Sequence, residues 1–199
     1  MEDKAYRHLS DEELLEKARK KDVQAFTALF EKYSEKILYY LFRYIGDFQK
    51  AEDITIETFT KAYQKLPVYK EIGMFSSWLY KIATNTARDY LRKKLRVQEV
   101  SMEKPIDAEG SISIGDTIED TKANADKKAI TQDTNEFFYK VIEEMDQKYK
   151  DILLLVDMEG MTIKEAASVL NINTMTAGTR LRRARQEVYN KFRKYRHEL

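Results

Sequence analysis

Residues 161–188, MTIKEAASVLNINTMTAGTRLRRARQEV, decide the fold class. Thr162 and Glu165 have the spacing of a capping box, in which a hydroxyl and a carboxylate satisfy two free amides at a helix start. This predicts a short helix ending at Leu170. Ala166 and Ala167 are small enough for close contact with a second helix. Asn171 tolerates the left-handed backbone of a tight turn. Asn173 or Thr174 has the side chain to cap the next helix. A short helix, a turn and a longer basic helix make a helix-turn-helix, whose second helix enters the DNA major groove. On that second helix Ala177, Leu181, Ala184 and Val188 share a face and are predicted to pack inward. Thr176, Thr179 and Arg183 lie opposite, flanked by Arg180 and Arg182, and are the candidates to reach base edges. Arg185, Lys191, Arg193 and Lys194 are left to phosphates and to the general field.

Upstream, YKDILLLVDMEG predicts a helix stopped by Gly160, and Phe137, Phe138, Val141, Ile142 and Met145 recur at helical spacing before it. Residues 97–133 lose that periodicity and hold Pro105, Gly110, Gly115 and many acids. They read as a flexible acidic linker, able to span on the order of 100 Å at full extension.

A second helical unit precedes the linker. Ser10 and Glu13 form another capping box, with Leu9 and Leu14 at the staple positions. A helix opens after Asp22 and runs on an apolar stripe from Phe26 to Ile45, with Gly46 as its stop. A third runs from about Phe48 to Leu66, ahead of Pro67. In it Thr55, Ile56, Phe59, Ala62, Tyr63 and Leu66 are expected to face inward, and Asp53, Ile54, Glu57 and Lys61 to point elsewhere. After the loop VYKEIGMFS, with Ser76 or Ser77 as candidate cap, comes WLYKIATNTARDYLRKKLR at 78–96. Its apolar face holds Trp78, Leu79, Ile82, Ala83, Thr86 and Tyr90. Its other face is a stripe of Lys81, Asn85, Arg88 and Arg92. Asn85, uncharged within a basic stripe, can both donate and accept at a base edge. Tyr69 and Phe75 are expected to stack on unpaired bases.

Charge is sorted along the chain although its net value is only +1. Residues 88–96 carry five basic groups and one acid, residues 97–121 seven acids and one lysine, and residues 180–197 eight basic groups and one acid. Near-neutral balance excludes a bulk polyanion binder. With no cysteine there is no disulfide, thiol catalyst or cysteine metal site. The two histidines, His8 and His197, lie near opposite ends, which argues against a histidine-based site. No metal, cofactor or catalytic residue is expected, and the acids cluster in the linker rather than on rigid facing helices, so an enzyme is not expected. The chain lacks an apolar run of transmembrane length and its start is charged, so neither membrane insertion nor a signal peptide is expected, and a cytoplasmic location is. The expected fold is all-α: a helical domain at 1–96, an acidic linker at 97–133 and a helix-turn-helix domain at 134–199.

Nearly the whole chain resembles a group 4 (extracytoplasmic-function) sigma factor of bacterial RNA polymerase. DEELLEKARKKDVQAFTALFEKY is similar to the start of sigma region 2, and AEDITIETFTKAYQKL to the segment that docks on the polymerase β′ clamp helices. FSSWLYKIATNTARDYLRKKLR is similar to the part that melts and reads the minus-ten promoter element. MDQKYKDILLLVDMEGMTIKEAASVLNINTMTAGTRLRRARQEV is similar to region 4, which reads the minus-thirty-five element and touches the β flap. Ile56 stands where the family usually has glutamine, Asn171 replaces a common turn glycine, and Gly178 replaces a basic residue of the recognition helix. The resemblance implies a transcription initiation factor that binds core RNA polymerase and promoter DNA, with an anti-sigma factor as a further partner. It implies minus-ten contacts at Lys81, Asn85, Arg88, Arg92, Tyr69 and Phe75, minus-thirty-five contacts at Thr176, Thr179, Arg180, Arg182 and Arg183, and polymerase docking at Asp53, Ile54 and Glu57. It also implies that the linker threads the RNA-exit path. The alternative reading is a stand-alone helix-turn-helix regulator whose N-terminal domain senses a ligand or dimerises.

Overall fold

The computed structural model describes residues 6, 8–69, 74–101 and 137–198, and every regular element among them is helical. Helix α1 (Asp11–Arg19) opens on its capping box: the Glu13 amide donates to Ser10 Oγ at 3.3 Å, and the Ser10 amide donates to Glu13 Oε2 at 2.7 Å. Helix α2 (Val23–Ile45) is capped by the Asp22 carboxylate and stopped by Gly46, whose φ of 80° suits a residue without a Cβ. Asp47 caps α3 (Phe48–Lys65), which tightens into a 3-10 turn at Leu66–Val68 where Pro67 supplies no amide hydrogen.

Helix α4 spans Phe75–Ser101. It already contains Ser76 and Ser77, so neither is its cap, and it continues past residue 96 into the stretch assigned to the linker. The rest of that stretch, from 102, lies outside the described residues.

The C-terminal unit begins in helical residues 137–144 (α5), followed by α6 (Gln147–Leu153). The chain then widens into a π-turn over Leu154–Met158, in which the Glu159 amide donates to the Leu154 carbonyl at 3.0 Å. Such i→i+5 turns place one extra residue in a helix. Gly160, at φ 71°, ends the run. Helix α7 (Ile163–Leu170) opens on the Thr162–Glu165 capping box and stops at Asn171, which adopts φ 54°, ψ 48°. Asparagine populates this left-handed region more readily than most side chains do. Helix α8 (Thr174–Glu198) is capped by Asn173, whose Oδ1 accepts from the Thr176 amide at 2.7 Å.

Helices α1 to α4 pack around Leu14, Leu29, Ile37, Leu41, Phe59 and Leu79, while α5 to α8 pack around Ile142, Ile152, Leu154, Ala166, Ala177 and Leu181. The two sets touch: α4 lies against α7, α2 lies against the π-turn, and the buried side chains form one connected cluster. One expected face is corrected. Helix α3 packs on both α2 and α4, so its buried arc is Ala51, Ile54, Thr55, Thr58, Phe59 and Ala62. Ile54 is therefore 3% exposed and Ile56 is 63% exposed, the reverse of the expectation.

Candidate nucleic-acid interface

The stripe on α4 is set by what the opposite face buries. Leu79, Ile82, Ala83 and Ala87 are in the core, and Thr84 and Thr86 turn inward with them. Their hydroxyls donate to the Tyr80 and Ile82 carbonyls one turn back, at 2.8 and 2.9 Å, so neither is left unsatisfied. Lys81, Asn85 and Arg92 are thereby held on the outside and are exposed. Arg92 pairs at 3.2 Å with Asp89, which is also exposed, a contact too solvated to restrain it much.

Tyr69 and Phe75 do not join this surface. The Tyr69 ring stacks on Trp78 with centroids 4.4 Å apart, Arg19 donates to its carbonyl, and the residue is 7% exposed. Phe75 is 2% exposed and meets the Tyr33 ring edge-on at 5.5 Å. These rings close the end of the bundle between α1, α2 and α4, so the expectation that they stack on bases is replaced by a core role. Trp78 is half-buried and borders a cleft of ≈ 370 Å³ formed with Lys65, Val68, Met74 and Lys81 on one side and Ser168 and Val169 of α7 on the other.

Arg88 departs from the stripe in another way. Its guanidinium donates to Asp151 of α6, a carboxylate that is 1% exposed. Burial works to pull the Arg88 pKa down, but the hydrogen bond to Asp151 and its charge outweigh burial and leave it raised. Tyr44 Oη also donates to Asp151, and Gln147 Nε2 donates to the same carboxylate at 2.8 Å. Nearby, Glu159 accepts from Arg43 at 3.0 Å and from Tyr80 Oη at 2.5 Å. Burial first, then the neighbouring carboxylates, drives the Tyr44 and Tyr80 hydroxyls far above the ordinary phenol range, so both stay protonated donors. Lys150, 6% exposed and 5.4 Å from the Tyr44 ring centre, is pulled down to about 8 by burial. The sequence reading passed over this group. The one signal available was an acid, Asp151, at the head of the apolar run ILLLV.

On α8 the inward residues Ala177, Leu181 and Ala184 are buried. Thr179, Arg182 and Arg183 are exposed, and Thr176 and Arg180 are half-buried. Thr179 donates its hydroxyl hydrogen to the Met175 carbonyl at 3.0 Å, which leaves its oxygen as an outward acceptor. Arg185 is committed to a two-point pair with Asp157, at 2.9 and 2.5 Å. A Cβ built on Gly178 meets nothing within 4 Å, so no packing requires glycine there.

On α3, Asp53 and Glu57 stand outside and pair with Lys50 at 3.1 Å and Lys61 at 2.7 Å. The buried Ile54 cannot belong to a docking surface with them. Ile56 and, against the expectation of an inward place, Tyr63 are the large apolar residues of α3 left exposed.

Comparison with known proteins gives the family. The profile described as Sigma-70 region 2 matches residues 29–97, and that described as Sigma-70, region 4 matches residues 138–188. The ECF RNA polymerase sigma-E factor of Salmonella typhimurium is 30% identical over 185 residues, covering 92% of this chain and 94% of that protein. The chain belongs to the ECF sigma factors of the sigma-70 family. As a member it is an RNA polymerase sigma factor, the subunit that directs transcription initiation. Its fold is that of two solved structures at lower identity. One is CnrH in complex with the cytosolic domain of CnrY, with a TM-score of 0.68 and 17% identity over 92% of this chain and 97% of the other. The second is the sigma factor RpoE in complex with the anti-sigma factor NepR from Bartonella quintana, with a TM-score of 0.65 and 20% identity over 84% and 96%. In the sigma factor described here, α4 therefore lies in region 2 and the helix-turn-helix in region 4. Among the described residues no helix is long and apolar enough to cross a membrane.

Proposed function

We propose that this sigma factor reads promoters through two separate surfaces, α4 at the minus-ten element and α8 at the minus-thirty-five element. The observation that carries the reading is the α4 stripe, in which uncharged Asn85 is exposed among Lys81 and Arg92, with Arg88 beside it. Phosphate binding needs only the cations, whereas a neutral amide is useful at a base edge. On α8 the corresponding set is Thr176, Thr179, Arg180, Arg182 and Arg183. Core RNA polymerase supplies the catalytic centre, and the sigma factor, with none of its own, supplies address and strand opening. Docking on the β′ clamp helices uses Asp53 and Glu57, with Ile56 taking the apolar place first assigned to Ile54, and region 4 also meets the β flap. Action alongside the polymerase makes the protein cytoplasmic. An anti-sigma factor is proposed as regulator, because the RpoE fold neighbour is bound by one.

Run-off transcription over a genomic promoter library tests the reading. Core polymerase alone should give no specific transcripts, and core with this protein should give a defined set. Footprints on duplex promoter DNA without polymerase, and no polymerase-dependent transcripts, would instead identify a stand-alone regulator.

A further inference from the structure

The leading end of α8 presents an apolar side chain to the outside. Met175, at the second position of the helix, is 84% exposed, more than any other large hydrophobic residue among the described residues. Successive residues of a helix turn by about 100°. Counted from the buried stripe of Ala177, Leu181 and Ala184, Met175 comes out almost diametrically opposite to it. It stands in one row with Thr179, Arg182 and Gln186, at spacings of four, three and four, and all four side chains are exposed. Thr176 stands at the margin of that face and is half-buried.

The residues one turn on keep Met175 bare. A helical side chain covers the turn before its own Cα, so residues 178 and 179 are the ones placed to lie over Met175. Residue 178 is glycine, with open space where a Cβ would stand. Thr179 is short, and its hydroxyl is turned back onto the Met175 carbonyl at 3.0 Å. On the other side, Asn173 is spent on capping, since its Oδ1 accepts from the Thr176 amide.

Single exposed apolar side chains are ordinary on protein surfaces. The place of this one is not. In a helix-turn-helix the first residues of the second helix meet base edges in the major groove. The apolar group that the groove offers there is the C5-methyl of thymine. Methionine is unbranched and polarizable, so it adapts to such a contact. It has no N–H or O–H donor, so it cannot take the part arginine plays at guanine.

We propose that Met175 is a specificity-determining residue of the minus-thirty-five interface, selecting one thymine by apolar contact with its methyl group. That role rests on the minus-thirty-five reading of α8 proposed above. It adds to the polar contacts of Thr179, Arg182 and Arg183 one base pair chosen without a hydrogen bond, at the end of the row nearest the turn.

Holoenzyme assembled from core RNA polymerase and the full chain tests this on a promoter library randomised through the minus-thirty-five element. The parent should prefer thymine at one pair. M175A should reduce that preference about threefold, the worth of one methyl group, and leave the preferences at the other pairs in place. M175L, which keeps an apolar side chain of similar volume, should retain it. A chemical arm removes the methyl alone. Deoxyuridine in place of that thymine should weaken binding of the parent holoenzyme by the same factor and should have no effect with M175A. Thermal melts by circular dichroism should coincide for all three proteins, because an 84% exposed side chain has little packing to lose. Equal sensitivity of parent and M175A to deoxyuridine, or sensitivity in neither, overturns the role of Met175. A parent with no base preference anywhere in the minus-thirty-five element overturns the α8 reading itself, a result distinct from a thymine preference that survives M175A.

Discussion

Asn85 and Arg88 are three residues apart on one helix and have opposite fates. Asn85 stays exposed, and Arg88 is drawn into a buried carboxylate. The helical wheel places both correctly on the outer face, because side-chain direction follows from the period of the helix. It cannot show that Asp151, 63 residues away, meets one of them. The same limit applies to Tyr69 and Phe75. An aromatic in a loop has no period to give its direction, and here both rings turn inward to close the bundle. At this scale the test is chemical. Asn85→Ala should change tolerance at one minus-ten base, by ~1–3 kcal/mol between preferred and other bases. It should leave the salt dependence of promoter binding as it was. Arg92→Ala should weaken all promoters alike and flatten the salt slope. A randomised minus-ten library, read at two ionic strengths with the holoenzyme, separates the two. Unchanged base preference in Asn85→Ala would make Asn85 a plain surface amide.

Elements were legible in the sequence where a local signal set their ends. The Ser10–Glu13 and Thr162–Glu165 boxes, Asp22, Gly46 and Asn171 all act where their chemistry requires. Faces were legible on α8, whose buried Ala177, Leu181 and Ala184 form one narrow stripe, and not on α3, whose buried arc between α2 and α4 is broad. Lys150 on α6 is the element-scale surprise, a lysine among the buried residues of an apolar helix. Around it stand Glu143 of α5, Asp151 of its own helix and, from α2, Tyr44, with Arg88 of α4 on the far side of Asp151. Its folded pKa of about 8 lies below the ordinary 10.5 of an exposed lysine. Below pH 8 both folded and unfolded chains carry the proton and the full burial penalty applies. Between about 8 and 10.5 the folded chain gives up the proton first, so this group makes the fold more stable as pH rises. The buried tyrosines, raised above 10, act oppositely, but only above their unfolded value. Lys150→Met should therefore stabilise the protein at neutral pH, by up to roughly 3 kcal/mol. It should also flatten the rise in stability from pH 8 to 10. Denaturant melts across that range check both, and a destabilised variant with an unchanged pH profile would mean the ammonium is well solvated.

At the scale of the whole molecule, the two-domain organisation was readable from charge sorting and lost periodicity, but the joint was not. Its bonds pair residues 63, 107 and 116 positions apart, and no periodic or capping signal links such partners. The proposed polymerase-facing side is a separate surface. Reversing charge at Asp53 and Glu57 should weaken binding to core polymerase about tenfold, the scale of two rim charges, without changing thermal stability. Competition against the parent protein for core measures it, and equal competition would move the docking surface off α3. The π-turn at Leu154–Met158 has a consequence for lineage. One extra residue turns everything after it by about 100° relative to the helix before it. Glu159 follows that turn and Asp151 precedes it, so the insertion is what aims both acids at the same neighbour. A single-codon deletion there would turn Glu159, and the helix-turn-helix that follows it, relative to α6 and take Glu159 away from Arg43. The bonds between the two domains can thus be gained or lost through an indel, with no change to any residue that makes them.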